Sequence, residues 1–396
     1  MSGRNLRIGY IPLVDAAALI AAVDCGFAAQ EGIAIDLVRE VSWSNVRDKL
    51  NIGLFDAAHL LSPVAIASSL GIGHVRVPLI APFNLGLNGN AVTVSTRLHA
   101  ALLNAADGSL ADPMVSARAL ARLIEERKSR HAEPLTFGMT FPFSHHNYQL
   151  RFWMAAGGID PDEDVRLVVL PPPYMVESLQ SGHVDGFCVG APWNSVAVDA
   201  GVGRILHFGC ELMARVSEKV LAVREPWANE NGEALAALIR ALSKASHYVA
   251  DATNVAAVSE AVAKRIGVDA TLVVRSLTGH LKVAPDGMTR ASDHYMLIGR
   301  EGADRPDPVQ AAWAYAQIVR WGQAAYSEEL SDLAQSVFRA DLYDAALGLS
   351  PPAPSGGPDD GIGAFIGPRF DAADISGHLE IWRTRRPGRP RLSVVR

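Results

Sequence analysis

Two polar segments lie where a predicted strand gives way to a predicted helix, and both carry hydrogen-bond donors. They are Ser42-Trp43-Ser44 and Ser144-His145-His146. The serine hydroxyls can cap the helices, while an indole or an imidazole N–H can donate to a bound group. In open α/β sheets, ligands bind beyond the carboxyl ends of the strands, beside helix N-termini. The segments are therefore candidate site residues; the alternatives are a tryptophan that fills the core and histidines that cap a helix or face solvent.

Other chemistries find weaker support in the residue pattern. A zinc site is not expected, because the two histidines have no third and fourth ligand at suitable spacing. Gly71-Ile-Gly73 and Gly86-Leu-Asn-Gly89 lack the strand–helix context of a dinucleotide site, and no serine lies in a nucleophile-elbow motif. The residues therefore favour binding over catalysis.

The composition limits the class of protein. The chain has 396 residues, is 49% hydrophobic and carries a formal charge of −6, so it can bury more than one core and has no global basic field for nucleic acid. It has no apolar run of about 18 residues that would predict a membrane span. The first apolar run carries Arg7 and Pro12, unlike a secretory signal, and the three cysteines are odd in number. We therefore expect a reduced, cytoplasmic protein.

The order of predicted strands and helices occurs twice. Each copy contains a strand, a helix, a second strand and a shorter helix that leads into a third strand. This alternation predicts sheets covered by helices on both faces, and two copies predict two lobes. The first copy has these elements at 6–11, 16–30, 33–38 and 46–50, and the second has them at 135–141, 146–156, 165–170 and 174–180.

The ends of the two copies match residue by residue. Leu50-Asn-Ile-Gly53-Leu-Phe-Asp56-Ala corresponds to Leu179-Gln-Ser-Gly182-His-Val-Asp185-Gly. In each copy the glycine suits the left-handed residue that ends a helix, and the aspartate suits the turn into a strand. Because helix–Gly–Asp–strand is a common arrangement in α/β proteins, a chance match is the competing explanation.

The rest of the chain is predicted to be mostly helical. Apolar periodicity predicts helices within 98–130, 233–249, 255–266 and 308–326, followed by a loop at 350–363. Residues 383–391 contain five arginines with proline and glycine. This segment is interpreted as a solvated tail, with a contact arm for an acidic partner or RNA as the alternative.

Several longer motifs resemble the nitrate- and bicarbonate-binding proteins of ABC transporters, from about residue 6 to residue 227. The resemblance implies an α/β type II periplasmic-binding-protein fold. In this fold each of two lobes is a mixed, mainly parallel sheet flanked by helices, here with extra C-terminal helices. It assigns 1–89 and 200–350 to lobe 1, 90–199 to lobe 2, and 351–396 to a C-terminal loop and arginine-rich tail. The motifs lie at residues 7–16, 42–48, 87–90, 139–142, 151–161, 171–173, 187–193 and 218–221.

The resemblance also implies a set of ligand-binding residues. The binding tryptophan of the family matches Trp43, its amide side chain matches Asn90, and its histidine at the start of a lobe 2 helix matches His146. The position that separates nitrate from bicarbonate binders matches Lys219. Nitrate proteins also carry lysine there, whereas bicarbonate proteins carry glutamate, which suits a ligand bound with a metal cation. Ser144 and Gly190, which lie in matching segments, complete the predicted set.

The chemistry of nitrate agrees with this set. Nitrate is a planar monoanion whose oxygens only accept hydrogen bonds, so its burial requires donors and a positive charge. Lys219 supplies the charge in this interpretation, and helix N-termini add partial positive charge. We therefore expect nitrate or nitrite as the ligand, with no cofactor and no metal. Phe143-Ser144-His145 and Ala191 depart from the residues usual in the family, which leaves the choice between the two anions open.

The resemblance leaves the biological role open. With no secretory signal, the chain resembles the cytoplasmic nitrate/nitrite sensors of the NasS type, which hold an RNA-binding antiterminator, NasT, until ligand arrives. That role implies a NasT-like partner, no direct nucleic-acid contact and no membrane association. The first alternative is the substrate-binding component of a nitrate ABC transporter. The second is an enzyme on the same fold, like the pyrimidine synthases of thiamine biosynthesis, which need an iron site and reactive residues that we do not find here.

Overall fold

The computed structural model describes residues 4–350 and 361–382, in which strands and helices alternate through the first half of the chain. The strands are β1 (Arg4–Tyr10), β2 (Ile33–Arg39), β3 (Ala57–Leu61), β4 (Leu79–Asn88), β5 (Asn90–Ser95), β6 (Thr136–Met139), β7 (Arg166–Val169), β8 (Gly186–Gly190), β9 (Gly203–Phe208), β10 (Met213–Ala214), β11 (Ser217–Arg224), β12 (His280–Lys282), β13 (Thr289–Ala291), β14 (Met296–Leu297) and β15 (Gly363–Ala364). The helices are α1 (Ala17–Asp24), α2 (Phe27–Gln30), α3 (Trp43–Asn51), α4 (Ser62–Leu70), α5 (Thr96–Ala105), α6 (Pro113–Ser129), α7 (His145–Ala156), α8 (Met175–Gln180), α9 (Trp193–Asp199), α10 (Gly209–Leu212), α11 (Glu225–Glu230), α12 (Gly232–Ala250), α13 (Val255–Ile266), α14 (Ala270–Thr278), α15 (Pro308–Arg320), α16 (Glu328–Ser336), α17 (Ala340–Leu347) and α18 (Ile375–Ile381).

Two sheets define two lobes. Lobe 1 contains a six-stranded sheet in the order β14-β4-β11-β3-β1-β2, and lobe 2 contains a five-stranded sheet in the order β7-β6-β8-β5-β9. The pairs β1–β2, β1–β3, β6–β7 and β6–β8 are parallel, whereas β11 and β5 run antiparallel to their neighbours. The prediction of an α/β fold with two lobes, each a mixed sheet with helices around it, is confirmed.

The internal repeat is also present in three dimensions. Strands β1, β2 and β3 of lobe 1 occupy the same relative places as β6, β7 and β8 of lobe 2. Gly53 and Gly182 have φ values of 80° and 72°, the left-handed conformation expected at the end of a helix. The two lobes are therefore built by the same local rules.

The aspartates that follow these glycines join the first and third strands within each lobe in the same way. The carboxylate of Asp56 accepts a hydrogen bond from the backbone N–H of Arg7 in β1 at 2.8 Å, and Asp185 accepts one from Thr136 in β6 at 3.0 Å. In return, the backbone N–H groups of Asp56 and Asp185 donate to the carbonyls of Arg7 and Thr136. Each aspartate thus fixes the start of the third strand against the first strand of its repeat.

The chain passes from the first sheet to the second between β4 and β5. Asn88 and Gly89 have φ values of 62° and 89° at this point, which coincides with the predicted boundary after residue 89. The predicted return to lobe 1 at residue 200 precedes β9, which still pairs with β5 in the second sheet. Sheet membership therefore places the return between Phe208, the end of β9, and Ser217, the start of β11.

Several predicted helices differ in extent from the observed ones. The helix predicted at 16–30 is divided into α1 and α2 because Gly26 adopts a left-handed conformation with φ of 80°. The segment 98–130 forms two helices, α5 and α6, and the helix predicted at 308–326 ends at Arg320. The predicted arginine-rich tail at 383–396 and most of the predicted loop, at 351–360, lie outside the described residues.

The C-terminal helices pack mainly on lobe 1, where α12 lies against α1 and α15 against α4. The last described segment, 361–382, reaches both lobes. The ring of Trp382 lies 4.9 Å from that of Phe152 in α7 of lobe 2, and Phe370 lies 5.2 Å from Trp313 in α15 of lobe 1. Within the described ranges, no helix combines the length and apolar character needed to cross a membrane.

Candidate functional site

The predicted site residues converge where the carboxyl edges of the two sheets face each other. Trp43 begins α3 after β2, and Lys219 lies in β11 opposite Leu61 at the end of β3. From lobe 2, Asn90 begins β5 opposite Gly190 at the end of β8, and His146 lies in the first turn of α7. Trp43, Asn90, His146 and Lys219 are all buried.

The ammonium of Lys219 is held by two carboxylates. Its Nζ lies 2.9 Å from Oε1 of Glu218 and 3.1 Å from Oδ2 of Asp15, and all three side chains are at most 2% exposed. From the sequence, the positive charge of Lys219 was expected to interact with a bound anion alone. The structure shows instead that two protein carboxylates already share it, so a bound anion would face a site with more negative than positive groups.

A bulge in β11 explains how adjacent residues reach one place. Ser217 and Lys219 pair with the consecutive residues Leu87 and Gly86 of β4, which leaves Glu218 as an extra residue on β11. Side chains of successive strand residues normally point to opposite faces, and a bulge re-aims them. The carboxylate of Glu218 and the ammonium of Lys219 therefore meet in the same buried space.

Trp43 lies beside this ion cluster. The N-cap of α3 is Ser42, whose hydroxyl accepts from the backbone N–H of Asn45. The Trp43 ring centroid lies 5.4 Å from Nζ of Lys219, within the range of a cation–π interaction. Its indole Nε1 is buried and makes no hydrogen bond with any described residue. A buried indole N–H without a partner is a donor available to a ligand.

His59, in β3, orients Asp15. The backbone N–H of Ile11 donates to Nδ1 of His59 at 3.4 Å, so the ring proton resides on Nε2, which donates to Oδ1 of Asp15 at 2.9 Å. The other carboxylate oxygen of Asp15 faces Lys219. His59 is therefore the residue that fixes the direction of the Asp15 carboxylate.

His146 contributes an imidazole from lobe 2. Its Nδ1 lies 2.9 Å from the hydroxyl oxygen of Thr140. Its Nε2 faces Oε1 of Glu218 at 3.5 Å and, like the Trp43 indole, lacks a hydrogen-bond partner among the described residues. Two buried nitrogens, one from each lobe, thus remain unpartnered beside the same ion cluster.

Asn90 is oriented by its neighbours rather than free. Its amide nitrogen donates to Oε2 of Glu218 at 2.8 Å and to Oε1 of Gln149 at 3.2 Å. The atom of Asn90 left without a partner among the described residues is the amide oxygen, which accepts hydrogen bonds and cannot donate one to an anion. A Cβ atom at Gly190 would lie 3.5 Å from this oxygen and 3.6 Å from Oδ2 of Asp15, so Gly190 forms one wall of the site.

Ser144 has a structural task. Its hydroxyl accepts from the backbone N–H of Asn147 at 3.1 Å and donates to the carbonyl of Phe141 at 2.6 Å. The oxygen of Ser144 therefore caps α7, and its single O–H proton is already engaged by the Phe141 carbonyl. The neighbouring His145 turns to Ser62 of lobe 1, with Nε2 3.4 Å from the Ser62 hydroxyl.

The charge states of the site follow from burial and from these contacts. Burial raises the pKa of Asp15, but the Lys219 ammonium and His59 overcome this and lower it to about 2. The Lys219 ammonium likewise outweighs burial and keeps the pKa of Glu218 below its usual value. Burial lowers the pKa of Lys219, yet the two carboxylates raise it above the usual value. Burial dominates at His146 and lowers its pKa to about 4. At neutral pH the cluster therefore holds one positive and two negative charges.

Asp15, Glu218 and His59 were not expected in the site from the sequence. A signal for Asp15 was present, because it is the only charged residue between Ile8 and Val23 and it follows a predicted strand. Glu218 gave no such signal, because strand alternation directs it away from Lys219. Within the described residues, no group of three or more His, Cys, Asp or Glu side chains is arranged to hold a metal ion.

The two lobes contact each other around the site. The indole N–H of Trp193 in lobe 2 donates to the carbonyl of Pro12 in lobe 1 at 3.2 Å. Gln323, which follows α15 on lobe 1, accepts from the Tyr148 hydroxyl at 2.7 Å and donates to the carbonyl of Pro142 at 2.9 Å. The structure is thus a closed form in which the site is shielded from water.

This closed two-lobed architecture, with a polar site between the lobes, defines a protein of the periplasmic-binding-protein fold. The crystal structure of the periplasmic nitrate-binding protein NrtA from Synechocystis superposes with a TM-score of 0.86 at 26% identity, over 96% of this chain and 99% of that one. The aliphatic sulphonate-binding protein SsuA from Escherichia coli shares the fold, with a TM-score of 0.56 at 16% identity over 86% of this chain and 99% of that one.

The chain belongs to the NMT1-like family, whose model matches residues 2–263, and it is homologous to the NrtA proteins. It is 31% identical to the nitrate/nitrite binding protein NrtA of Nostoc over 86% of this chain and 76% of that protein. It is also 31% identical to the bicarbonate transport ATP-binding protein CmpC of Synechococcus elongatus over 87% of this chain. The chain spans half the length of CmpC and of the nitrate import ATP-binding protein NrtC of Synechocystis.

Proposed function

We propose that the protein binds nitrate or nitrite between its lobes and that the bound anion stabilises the closed form. One observation carries this proposal: a buried ammonium lies beside two unpartnered nitrogens, one from each lobe, in a member of a family that includes nitrate-binding proteins. In this proposal Nε1 of Trp43 and Nε2 of His146 donate to the anion, and Lys219 supplies the positive charge. A ligand that bridges the lobes favours closure because only the closed form makes both sets of contacts.

The other residues of the site have supporting roles in this proposal. Asp15 and Glu218 hold the Lys219 ammonium in place, and Asn90 links Glu218 to Gln149. The absence of a side chain at Gly190 lets Asn90 and Asp15 approach the cleft. The N-terminus of α7, capped by Ser144, adds partial positive charge next to His146.

The test is titration calorimetry with nitrate, nitrite and bicarbonate, each with and without calcium. We expect nitrate or nitrite to bind without calcium. Lys219→Glu places a third carboxylate in the cluster, and we expect it to weaken nitrate binding by at least about a hundredfold. Lys219→Met removes only the charge, and Trp43→Phe removes only the indole N–H while keeping the ring. Both are expected to weaken binding by smaller factors.

The matched control is Lys244→Glu, which reverses the charge of an exposed lysine on α12 that pairs with Glu31 and takes no part in the ion cluster of the site. This variant should bind nitrate with unchanged affinity. Circular dichroism verifies that each variant is folded. Unchanged nitrate affinity in folded Lys219→Glu, or binding of bicarbonate with calcium in preference to nitrate, contradicts the proposed function.

For the biological role, we propose a cytoplasmic sensor that releases a NasT-like antiterminator when nitrate or nitrite closes the lobes. The support is the resemblance to the NasS-type sensors together with the proposed closure of the lobes on the anion. Linkage requires such a partner to weaken nitrate binding by the same factor by which nitrate weakens partner binding. The substrate-binding component of an ABC transporter is the second candidate, and homology to NrtA supports it equally. Cell fractionation separates the two roles.

An enzymatic role has less support from the site. The thiol of Cys188 in β8 is buried and lies 3.5 Å from Oε1 of Gln149. Burial and the neighbouring Glu218 raise its pKa well above the usual value, so it stays a protonated thiol and a poor nucleophile. The named relatives above are binding and transport proteins. We therefore propose reversible anion binding without turnover.

A further inference from the structure

The charge of the site does not match its proposed ligand. Asp15 and Glu218 already outnumber Lys219, and these three side chains are at most 2% exposed. Entry of a monoanion would leave three negative charges against one positive charge in a water-excluded space. Charge burial of this kind is costly, and proteins commonly avoid it by protonating a group instead. The question is which group in the cluster can accept a proton.

We propose, on the basis of the proposed anion-binding function, that the site takes up one proton with each anion and that the imidazole of His146 accepts it. Nε2 of His146 is fully buried, has no hydrogen-bond partner among the described residues and faces Oε1 of Glu218 at 3.5 Å. Proton uptake restores the charge that the cluster had before the anion entered. The species bound is then equivalent to the anion plus a proton.

Thr140 allows His146 to change its protonation state without losing a hydrogen bond. In the neutral ring with the proton on Nε2, the Thr140 hydroxyl donates to Nδ1 across 2.9 Å. When the ring becomes an imidazolium, the hydroxyl rotates and accepts from Nδ1–H across the same distance. Both nitrogens of the imidazolium then have partners, since Nε2–H points toward Glu218 and the proposed anion.

The charged groups around His146 are less suited than its imidazole to accept the proton that enters with the anion. Lys219 and Glu218 face it from β11, Asp15 faces it from the turn after β1, and His145 is its neighbour on α7. Asp15 and Glu218 are committed to Lys219, and His145 is directed to Ser62. Without ligand, burial lowers the pKa of His146 to about 4, so the ring is neutral at physiological pH and ready to accept a proton.

The sign of the pH dependence follows from linkage. Below pH about 4 the imidazole is protonated with or without the anion, so affinity does not change with pH. Above that value and below the higher pKa in the complex, each binding event takes up one proton. In this range the dissociation constant for nitrate rises about tenfold for each pH unit, and it levels off at higher pH.

The experiment is calorimetric titration of the full chain with sodium nitrate from pH 5 to pH 8. Pairs of amine buffers that differ in ionisation enthalpy, such as Bis-Tris and imidazole, are used because anionic buffers would compete for the site. The difference in heat between the buffers gives the number of protons taken up. We expect a value near one at pH 6, and an imidazole ¹⁵N signal that changes from neutral to cationic when nitrate is added.

Three variants identify the acceptor. His146→Gln should bind nitrate weakly, without proton uptake and without pH dependence. Thr140→Val removes the acceptor for Nδ1–H and should shift the pH dependence to lower pH, whereas Thr140→Ser should restore the wild-type profile. Nitrate binding with no proton uptake overturns this inference and leaves the proposed function standing. Uptake that persists in His146→Gln overturns the assignment to His146, and absence of binding at every pH removes both proposals.

Discussion

At the scale of single residues, burial of titratable groups is the dominant feature of this protein. Burial lowers the pKa of His145 and His146 to about 4 and that of His207 to about 3. His207 lies away from the ion cluster, where its Nε2 is 2.6 Å from the Ser116 hydroxyl in the core of lobe 2. These histidines fold as neutral rings, whereas they become charged near their ordinary pKa in the unfolded chain.

We therefore predict that stability falls as the pH falls from about 6.5 toward about 4, because the unfolded state then binds protons that the native state does not. Each buried histidine contributes about 1.4 kcal/mol per pH unit, so the three together give about 4 kcal/mol between pH 6 and pH 5. Urea unfolding without nitrate measures this. In His207→Gln the slope should fall by about 1.4 kcal/mol per pH unit, and an unchanged slope would contradict a neutral, buried His207.

At the scale of elements, one carboxylate in each lobe joins the first strand of the repeat to the third. Asp56 accepts from the N–H of Arg7, and Asp185 accepts from that of Thr136, at the same point of each repeat. The helix–Gly–Asp–strand similarity in the sequence therefore reflects a shared hydrogen-bond pattern. A preference for a local turn would not by itself produce these bonds between strands. Asp36, in β2, provides a contrast because it makes a longer, exposed ion pair with Arg7 at 3.6 Å.

Asp56→Ala and Asp185→Ala should each lower the free energy of unfolding by about 1–2 kcal/mol, since each leaves a strand N–H without its side-chain acceptor. Asp36→Ala should change stability by less than about 0.5 kcal/mol, because exposed ion pairs contribute little. Chemical denaturation of the three variants provides the comparison. A loss confined to one of the two repeat aspartates would show that the repeats are not energetically equivalent.

At the scale of the whole molecule, closure depends on contacts outside the ligand site. The side chain of Gln323 on lobe 1 accepts a hydrogen bond from the Tyr148 hydroxyl and donates one to the carbonyl of Pro142, both in lobe 2. Tyr148 lies in α7, the helix that also contains His146. Because these two hydrogen bonds cross from one lobe to the other, we expect them to break when the lobes separate and so to stabilise the closed form. The closed form and the affinity are therefore coupled.

Gln323→Ala should weaken nitrate binding by about tenfold, because it removes two hydrogen bonds from the closed form only. The control is Gln335→Ala, whose side chain bonds to Ser331 of its own helix and which should leave affinity unchanged. Small-angle X-ray scattering at saturating nitrate should show the same closed dimensions in both variants. Equal affinity in Gln323→Ala and the wild type would mean that these contacts do not contribute to closure.

The sequence by itself determined the alternation of strands and helices in the two repeats and the place of part of the site. Local signals act over a few residues, so Gly53, Gly182 and the two capping serines marked the ends and starts of helices, and the repeat indicated two lobes. The rule that ligands bind beyond the carboxyl ends of strands pointed to Trp43 and His146, whereas Asn90 and Lys219 were expected only from the family resemblance.

Only the tertiary structure decided the charge balance of that site. The bulge at Glu218 reverses strand alternation and brings a second carboxylate to Lys219, while Asp15 arrives from more than 200 residues away in the sequence. It also decided that the hydroxyl proton of Ser144 is engaged by the carbonyl of Phe141 and that the Asn90 amide donates within the protein. These outcomes depend on which groups are enclosed together without water, a property of the packed chain that no local stretch of residues contains.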